Sequence, residues 1–291
     1  MLDCKSSLSY NELSFLLKIT MHTLYIVATP IGNLEDISLR ALRILKEVKI
    51  IAAEDTRKTR RLLNHYSIAT PMTSYYEHNK LVKLTRMLDY LEEGDMALVS
   101  EAGMPGISDP GYELIIVAIE HGIAVVPIPG ASAVTTALAV SGLAPDRFTF
   151  LGFLPNKSAA RRRVLESVVA EKGTLIILEA PHRVQDALKD ILAILGDRRL
   201  AACRELTKLH EEIFRGIVSE ALAHFMAPKG EFTLVIEGSK AESPKELTKE
   251  ISQKLHDLHS AGVSAKEAIA GVAAETGLSK RELYRALLEQ I

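Results

Sequence analysis

Cysteine is scarce in this chain: only Cys4 and Cys203, far apart in sequence. Two such cysteines form no disulfide framework and no zinc-ligand spacing, so a reduced, cytoplasmic setting is expected. The nine histidines show no paired ligand spacing either, and no metal site is expected. No apolar run reaches the length of a membrane span. Residues 1–20 include Leu13–Leu17 but also Asp3 and Glu12, and they have neither the basic start nor the small-residue cleavage site of a signal peptide. There is no internal repeat, no low-complexity tract, no phosphate-binding P-loop and no sharp nucleophile elbow. Charge of one sign is also lacking. The formal net charge is −2, so contact with a polyanion must come from local basic patches.

What is present is an alternation of apolar runs and amphipathic stretches. Strands are expected at Thr23–Ala28, Val48–Ala53, Met72–Tyr76, Met96–Val99 and Ile123–Val126, with helices near 38–47, 56–65, 80–93 and 112–120 and another opened by P-G-A-S-A at 129–133 and running to about Ser141. Ser38 fits a helix N-cap. This rhythm predicts a parallel, doubly wound sheet through about residue 142. Further strands at Phe148–Phe153, Gly173–Leu178, Leu200–Cys203, Phe214–Val218 and Phe232–Glu237, with helices near 157–171 and at Val184–Leu195, predict a second α/β domain. The expected division is an N-terminal extension over 1–21 that frays, an α/β domain over 22–142, a second over 143–240 and a helical module over 246–291. The turn G-L-S at 277–279 inside that module resembles a helix-turn-helix joint.

The stretch S-E-A-G-M-P-G-I-S-D-P-G, Ser100 to Gly111, follows an expected buried strand and precedes a helix. Its glycines allow positive φ and close approach to a ligand, and its prolines fix the turn. Ligands of open α/β sheets bind beyond the carboxyl ends of the strands, so the loop should floor a small-molecule site; the alternative is a tight connection without a ligand. Polar residues collect at three other strand ends: Glu54-Asp55-Thr56-Arg57, Glu77-His78-Asn79, and Glu179 with Pro181, His182 and Arg183. Helix capping is the competing explanation for the first two. Two basic clusters, Arg57, Lys58, Arg60, Arg61 and Lys157, Arg161, Arg162, Arg163, read either as solvated helix faces or as contacts to a polyanionic substrate. Cys203 reads as a small buried hydrophobe.

These segments, with T-P-I-G-N at 29–33, P-G-A-S-A at 129–133, G-F-L-P at 152–155, R-E-L-T-K at 204–208 and G-E-F-T-L-V-I-E-G at 230–238, resemble the ribosomal RNA small subunit methyltransferase I family over about residues 22–240. Those are cytidine 2′-O-ribose methylases on the tetrapyrrole methylase fold. The resemblance implies a two-domain α/β tetrapyrrole methylase-like fold with a C-terminal helical module, a homodimer, and S-adenosyl-L-methionine in the cleft between the domains. It also implies 16S rRNA within the 30S subunit as substrate, methylated on a cytidine ribose of the decoding region. Carried over motif by motif, it assigns cofactor contacts to Pro30, Gly103, Met104, Ile107, Ser132, Ala133, Glu179, Leu206 and Glu231 to Thr233. The chain departs from the family pattern at Glu101 (usually Asp), Met104 (usually Thr) and Ala28 (often Pro).

A ribose hydroxyl is a weak nucleophile, so a methylase must align it and help remove its proton. Alignment supplies on the order of 7–11 kcal/mol at best, and a positioned base about 10²–10⁴-fold. Glu54, Asp55 and His78 are the expected base candidates, with Lys208 as an electrostatic partner for the developing alkoxide. Two alternatives share the fold: a small-molecule methylase of the tetrapyrrole or diphthine kind, and a non-enzymatic RNA-binding factor. The basic clusters and the terminal helices favour RNA.

Overall fold

The computed structural model describes residues 22–75, 80–240, 249–276 and 278–288. The described residues fall into two compact units. One holds both sheets, up to Glu166 and again over Gly173–Glu237; the other holds Ser167–Lys172 and the described residues beyond Gly238. The expected extension at 1–21, His78 with its neighbours Glu77 and Asn79, and the start of the G-L-S turn lie outside the described residues.

In chain order the first sheet is built from β1 (Thr23–Val27), α1 (Leu39–Glu47), β2 (Ile50–Ala53), α2 (Thr56–His65), β3 (Met72–Ser74), α3 (Lys80–Glu93), β4 (Met96–Val99), α4 (Tyr112–Glu120), β5 (Ala124–Ile128) and α5 (Ala133–Ser141). Its five strands are all parallel in the order β3-β2-β4-β1-β5. Every residue of β2 and β4 is buried, as a parallel strand covered on both faces requires. One core lies on the face of Leu45, Ile51 and Val99, and the other on that of Leu24, Met87 and Leu98. Ser38 caps α1 by accepting the Ala41 amide at 3.0 Å. Gly142, left-handed at φ 75, ends α5.

The second sheet comes from β6 (Phe148–Phe153), α6 (Ser158–Ser167), β7 (Thr174–Glu179), α7 (Pro181–Leu195), β8 (Arg199–Arg204), β9 (Glu212–Ile217), α8 (Val218–His224) and β10 (Phe232–Ile236). Its order is β6-β7-β10-β8-β9, with only β6 and β7 parallel. Two expectations need correction. The helix expected over 157–171 stops at Ser167, and Val218, expected to end a strand, instead opens α8. The second unit contains α9 (Lys249–Ser260), α10 (Ala265–Thr276) and α11 (Lys280–Leu288), packed around Leu255, Ile269, Val272 and Leu283. Among the described residues no helix is long and apolar enough to cross a membrane.

Candidate active site

Strand order decides which loops meet. β4, β1 and β5 are neighbours, so their carboxyl-end loops, 100–111, 29–33 and 129–132, lie side by side. Thr29 and Gly103 exchange backbone hydrogen bonds, Thr29 N–H to Gly103 O at 2.9 Å and Gly103 N–H to Thr29 O at 3.0 Å. The Thr29 hydroxyl donates to Ser100 O at 3.3 Å. From the second sheet, the end of β7 and the start of β10 come together because those strands are antiparallel, with Phe232 opposite both Glu179 and Arg204. The two sets of loops touch directly. Asn33 N–H donates to Thr207 Oγ1 at 3.0 Å. A side chain on Gly32 would run into Lys208, Thr207 and the Leu206 carbonyl, so glycine is required by close approach.

Between these loops lies a cleft lined by Ile31, Ala102, Gly103, Met104, Ile107, Ser108, Asp109, Ser132, Ala133, Val134, Phe153, Leu178, Glu179, Cys203, Leu206, Lys208, Glu231, Phe232 and Thr233. All the residues expected to touch a small molecule are here except Pro30. Pro30 lines an adjoining recess with Lys58, Arg61 and Glu101. Gly103 has φ +83, a backbone conformation that L side chains rarely adopt, and a Cβ there would touch Ile31 and the Ala131 carbonyl at ordinary contact distance. Ile107 and Phe153 leave 54% and 52% of their surface exposed, apolar area available to a ligand.

The polar groups divide by environment. The Glu179 side chain is fully buried. Its Oε1 accepts the Ala180 amide at 2.9 Å, and Arg183 Nε stands 3.2 Å away without hydrogen-bond alignment. Its Oε2 is buried with no partner among the described residues. Burial raises this carboxyl above its ordinary range, against the Ala180 amide and Arg183, which lower it. Lys208 Nζ sits 2.8 Å from both Glu205 and Glu231. Burial opposes its charge, but the two carboxylates outweigh burial and hold the ammonium above its ordinary range. Glu205 and Thr207, which flank Leu206 in this loop, are both held at positive φ, 52 and 65, the kind of local strain that gathers at functional loops.

The E-D-T-R segment lies one strand further out, at the end of β2. Glu54, Asp55, Thr56 and Arg57 line a second cleft with Ser74 and Glu101. Asp55 is the N-cap of α2, accepting the Arg57 amide at 2.8 Å and the Lys58 amide at 3.4 Å. Hydrogen bonds from the Arg57 side chain and backbone lower its carboxyl. Asp55, expected among the base candidates, is thus committed to a helix cap, which makes it a weaker proton acceptor than a free carboxylate. Glu54 differs. Burial raises it, and its Oε2 accepts the Glu101 amide at 3.1 Å. Lys58 pairs with Glu101.

The basic clusters also separate. Arg57, Lys58, Arg60 and Arg61 are exposed along α2. Arg162 and Arg163 are exposed on α6, but Arg161 is only 5% exposed and binds Asp190 of α7 at 2.7 Å through both Nε and an Nη. Arg161 is a core ion pair and not a surface contact, which corrects its expected role. Asp109, absent from the expected site residues, is the other finding. Its only sequence signal was its place in the glycine loop. Among the described residues no cluster of His, Cys, Asp or Glu could hold a metal.

The sequence model of the Tetrapyrrole (Corrin/Porphyrin) Methylases matches residues 23–222, and that of the RsmI C-terminal HTH domain matches 249–290. Solved structures with the same fold include a cobalt precorrin-4 methyltransferase (TM-score 0.57, 17% identity, 75% of this chain and 96% of that one). A diphthine synthase is similar at TM-score 0.59, 12% identity, and 76% and 91% coverage. Fold and family model together define a methylase of the tetrapyrrole class. Relatives named ribosomal RNA small subunit methyltransferase I are 52% identical in Halalkalibacterium halodurans (90% of this chain, 93% of that one) and 47% in Synechocystis (92% and 98%). The Bacillus subtilis relative of the same name is 44% identical, over 94% of this chain and 97% of its own. The chain belongs to the ribosomal RNA small subunit methyltransferase I family. Methyl transfer is the chemistry of that family.

Proposed function

We propose that the chain transfers a methyl group from S-adenosyl-L-methionine to the ribose 2′-oxygen of a cytidine in the decoding region of 16S rRNA, within the 30S subunit. The observation that carries the cofactor reading is the buried, unpartnered Oε2 of Glu179 in a cleft floored by Gly103. An uncompensated buried acceptor calls for a donor from a ligand. The donor set fits this cofactor. Carboxylates at Glu179 and Glu231 outnumber Lys208, which suits a cation, while Ile31, Met104, Leu178, Leu206 and Phe232 suit an adenosine. Ser132 and Ala133 open α5 with no side-chain cap on its amides, a favourable place for a carboxylate. When bound, the cofactor supplies an electrophilic methyl on a sulfonium.

Gly103, Met104, Ile107, Ser132, Ala133, Glu179, Leu206, Glu231 and Thr233 hold it in this reading. Exposed Arg57, Lys58, Arg60 and Arg61, with Lys157, Arg162 and Arg163, position RNA phosphates, which fixes orientation without reading sequence. The RNA substrate is supported by the names of the 44–52% identical relatives. In the same reading the protein works as a cytoplasmic homodimer, and the terminal helices add substrate affinity without touching the chemistry.

The test uses unmodified 30S subunits, tritiated S-adenosyl-L-methionine, nuclease digestion and mass spectrometry of nucleosides. Label in 2′-O-methylcytidine from the decoding region is expected. Label on a base, or none in the subunit, overturns the reading.

A further inference from the structure

Asp109 belongs to none of the roles assigned so far, yet it is a half-buried acid in the wall of the cofactor cleft. It lines the cofactor cleft together with Glu179, Lys208 and Glu231. It feels the charges of Glu54 and Glu101, which line the neighbouring acidic cleft. The buried Ser100 hydroxyl acts on its carboxyl in the opposite sense, lowering it. The unpartnered, fully buried Glu179 Oε2 in the same cavity independently marks that cavity as a ligand site. A group that accepts the proton of an acceptor hydroxyl must reach both the methyl donor and the incoming nucleotide. The other acids are placed less well. Asp55 caps a helix, Glu54 lies beyond the cofactor cleft, and Glu231 is tied to Lys208.

We propose that Asp109 is the catalytic proton acceptor for methyl transfer to the ribose oxygen, a role that rests on the function proposed above. The ribose oxygen forms its bond to the methyl carbon as the carbon–sulfur bond breaks. The electron pair leaves with the sulfur, and the hydroxyl proton passes to the Asp109 carboxylate. The surroundings favour this task. Burial first, then the Glu54 charge, push the Asp109 carboxyl up to about 6, with Glu101 and Glu231 adding to the rise against the Ser100 hydrogen bond. The cations facing this region, Lys58 and Lys208, are each engaged by other carboxylates. A base with that proton affinity is ionised near neutrality and still strong enough to take a proton.

Three measurements on wild type, Asp109→Asn and Asp109→Glu test this: single-turnover methylation of 30S subunits between pH 5 and 8, calorimetry with S-adenosyl-L-methionine, and a carboxyl-carbon NMR titration of the free protein. The wild-type rate is expected to rise with pH, half-maximal at about 6 and levelling toward about 7–8, matched by a carboxyl that titrates at about 6 and vanishes in Asp109→Asn. Asp109→Asn should be slower by about 10²–10⁴-fold, with Asp109→Glu recovering part of the loss. Its cofactor affinity should stay within about threefold of wild type. A wild-type rate in Asp109→Asn overturns the assignment, as does a loss explained entirely by weaker cofactor binding. If the wild-type protein places no methyl on a ribose, the substrate reading itself has failed, an outcome visible without the variants.

Discussion

Two helices of this protein carry the same kind of sequence, and the fold uses them oppositely. Around residues 57–61 and 157–163 each chain segment places four cations within a few positions. On α2 all four stay at the surface; the Arg57 side chain is 90% exposed. In the second cluster, Lys157 just before α6 and three arginines on it, Arg161 turns inward onto Asp190 of α7, where Ser158 also donates to the same carboxylate at 3.1 Å. Charge count is the same, but only one helix has an acid waiting beneath it. A basic run therefore specifies neither surface nor binding until its packing partner is known.

Breaking the inward pair should have the largest effect. Arg161→Ala leaves the buried Asp190 with only the Ser158 hydroxyl and the half-exposed Arg162, 3.7 Å away, and a loss of about 3 kcal/mol in denaturant unfolding is expected. A loss under about 1 kcal/mol would return Arg161 to the surface group. Next, the outward cluster: Arg60→Glu with Arg61→Glu should weaken 30S binding roughly tenfold. The slope of its salt dependence should flatten by about 0.7–0.9 for each phosphate no longer neutralised. Stability should move by no more than about 0.5 kcal/mol, and a fall like that of Arg161→Ala would erase the contrast.

Asp109 sharpens the comparison from the acidic side, as a half-buried charge among like charges. Its folded carboxyl titrates near 6 against an ordinary 3.8, so the fold binds its proton more tightly than the unfolded chain does. Ionisation therefore costs stability as pH rises from about 4 to 6, and the loss persists above. Asp109→Asn should melt above wild type at pH 8 and close to it at pH 4; equal melting at both would deny the shift. The smallest effect belongs to exposed Arg163, whose change to Ala should leave unfolding within about 0.5 kcal/mol of wild type.

The first sheet was legible because buried parallel strands read as short apolar runs between amphipathic helices, and α2 begins and ends where its pattern does. Strand order was not legible. β4 inserts between β1 and β2, which brings the Thr29 and Gly103 loops together and moves Glu54 a strand away. The Arg161 pair was hidden because its partner lies 29 residues on, in another helix. Asp109 was passed over because a single acid beside proline reads as an ordinary turn residue; only its place in the cleft wall gives it significance. Met104, a departure from the family pattern, lines the cleft and packs against the first-sheet core at once.

Cys203, on the floor of the cleft, carries one more consequence. Burial pushes its thiol up to about 11. Near neutral pH only about one molecule in 10⁴ carries the thiolate, the form that attacks carbon electrophiles. Under the proposed function a sulfonium methyl donor would share this cleft, and an ionised sulfur at this position would compete for its methyl. A sheet floor that keeps the sulfur protonated would remove that competitor.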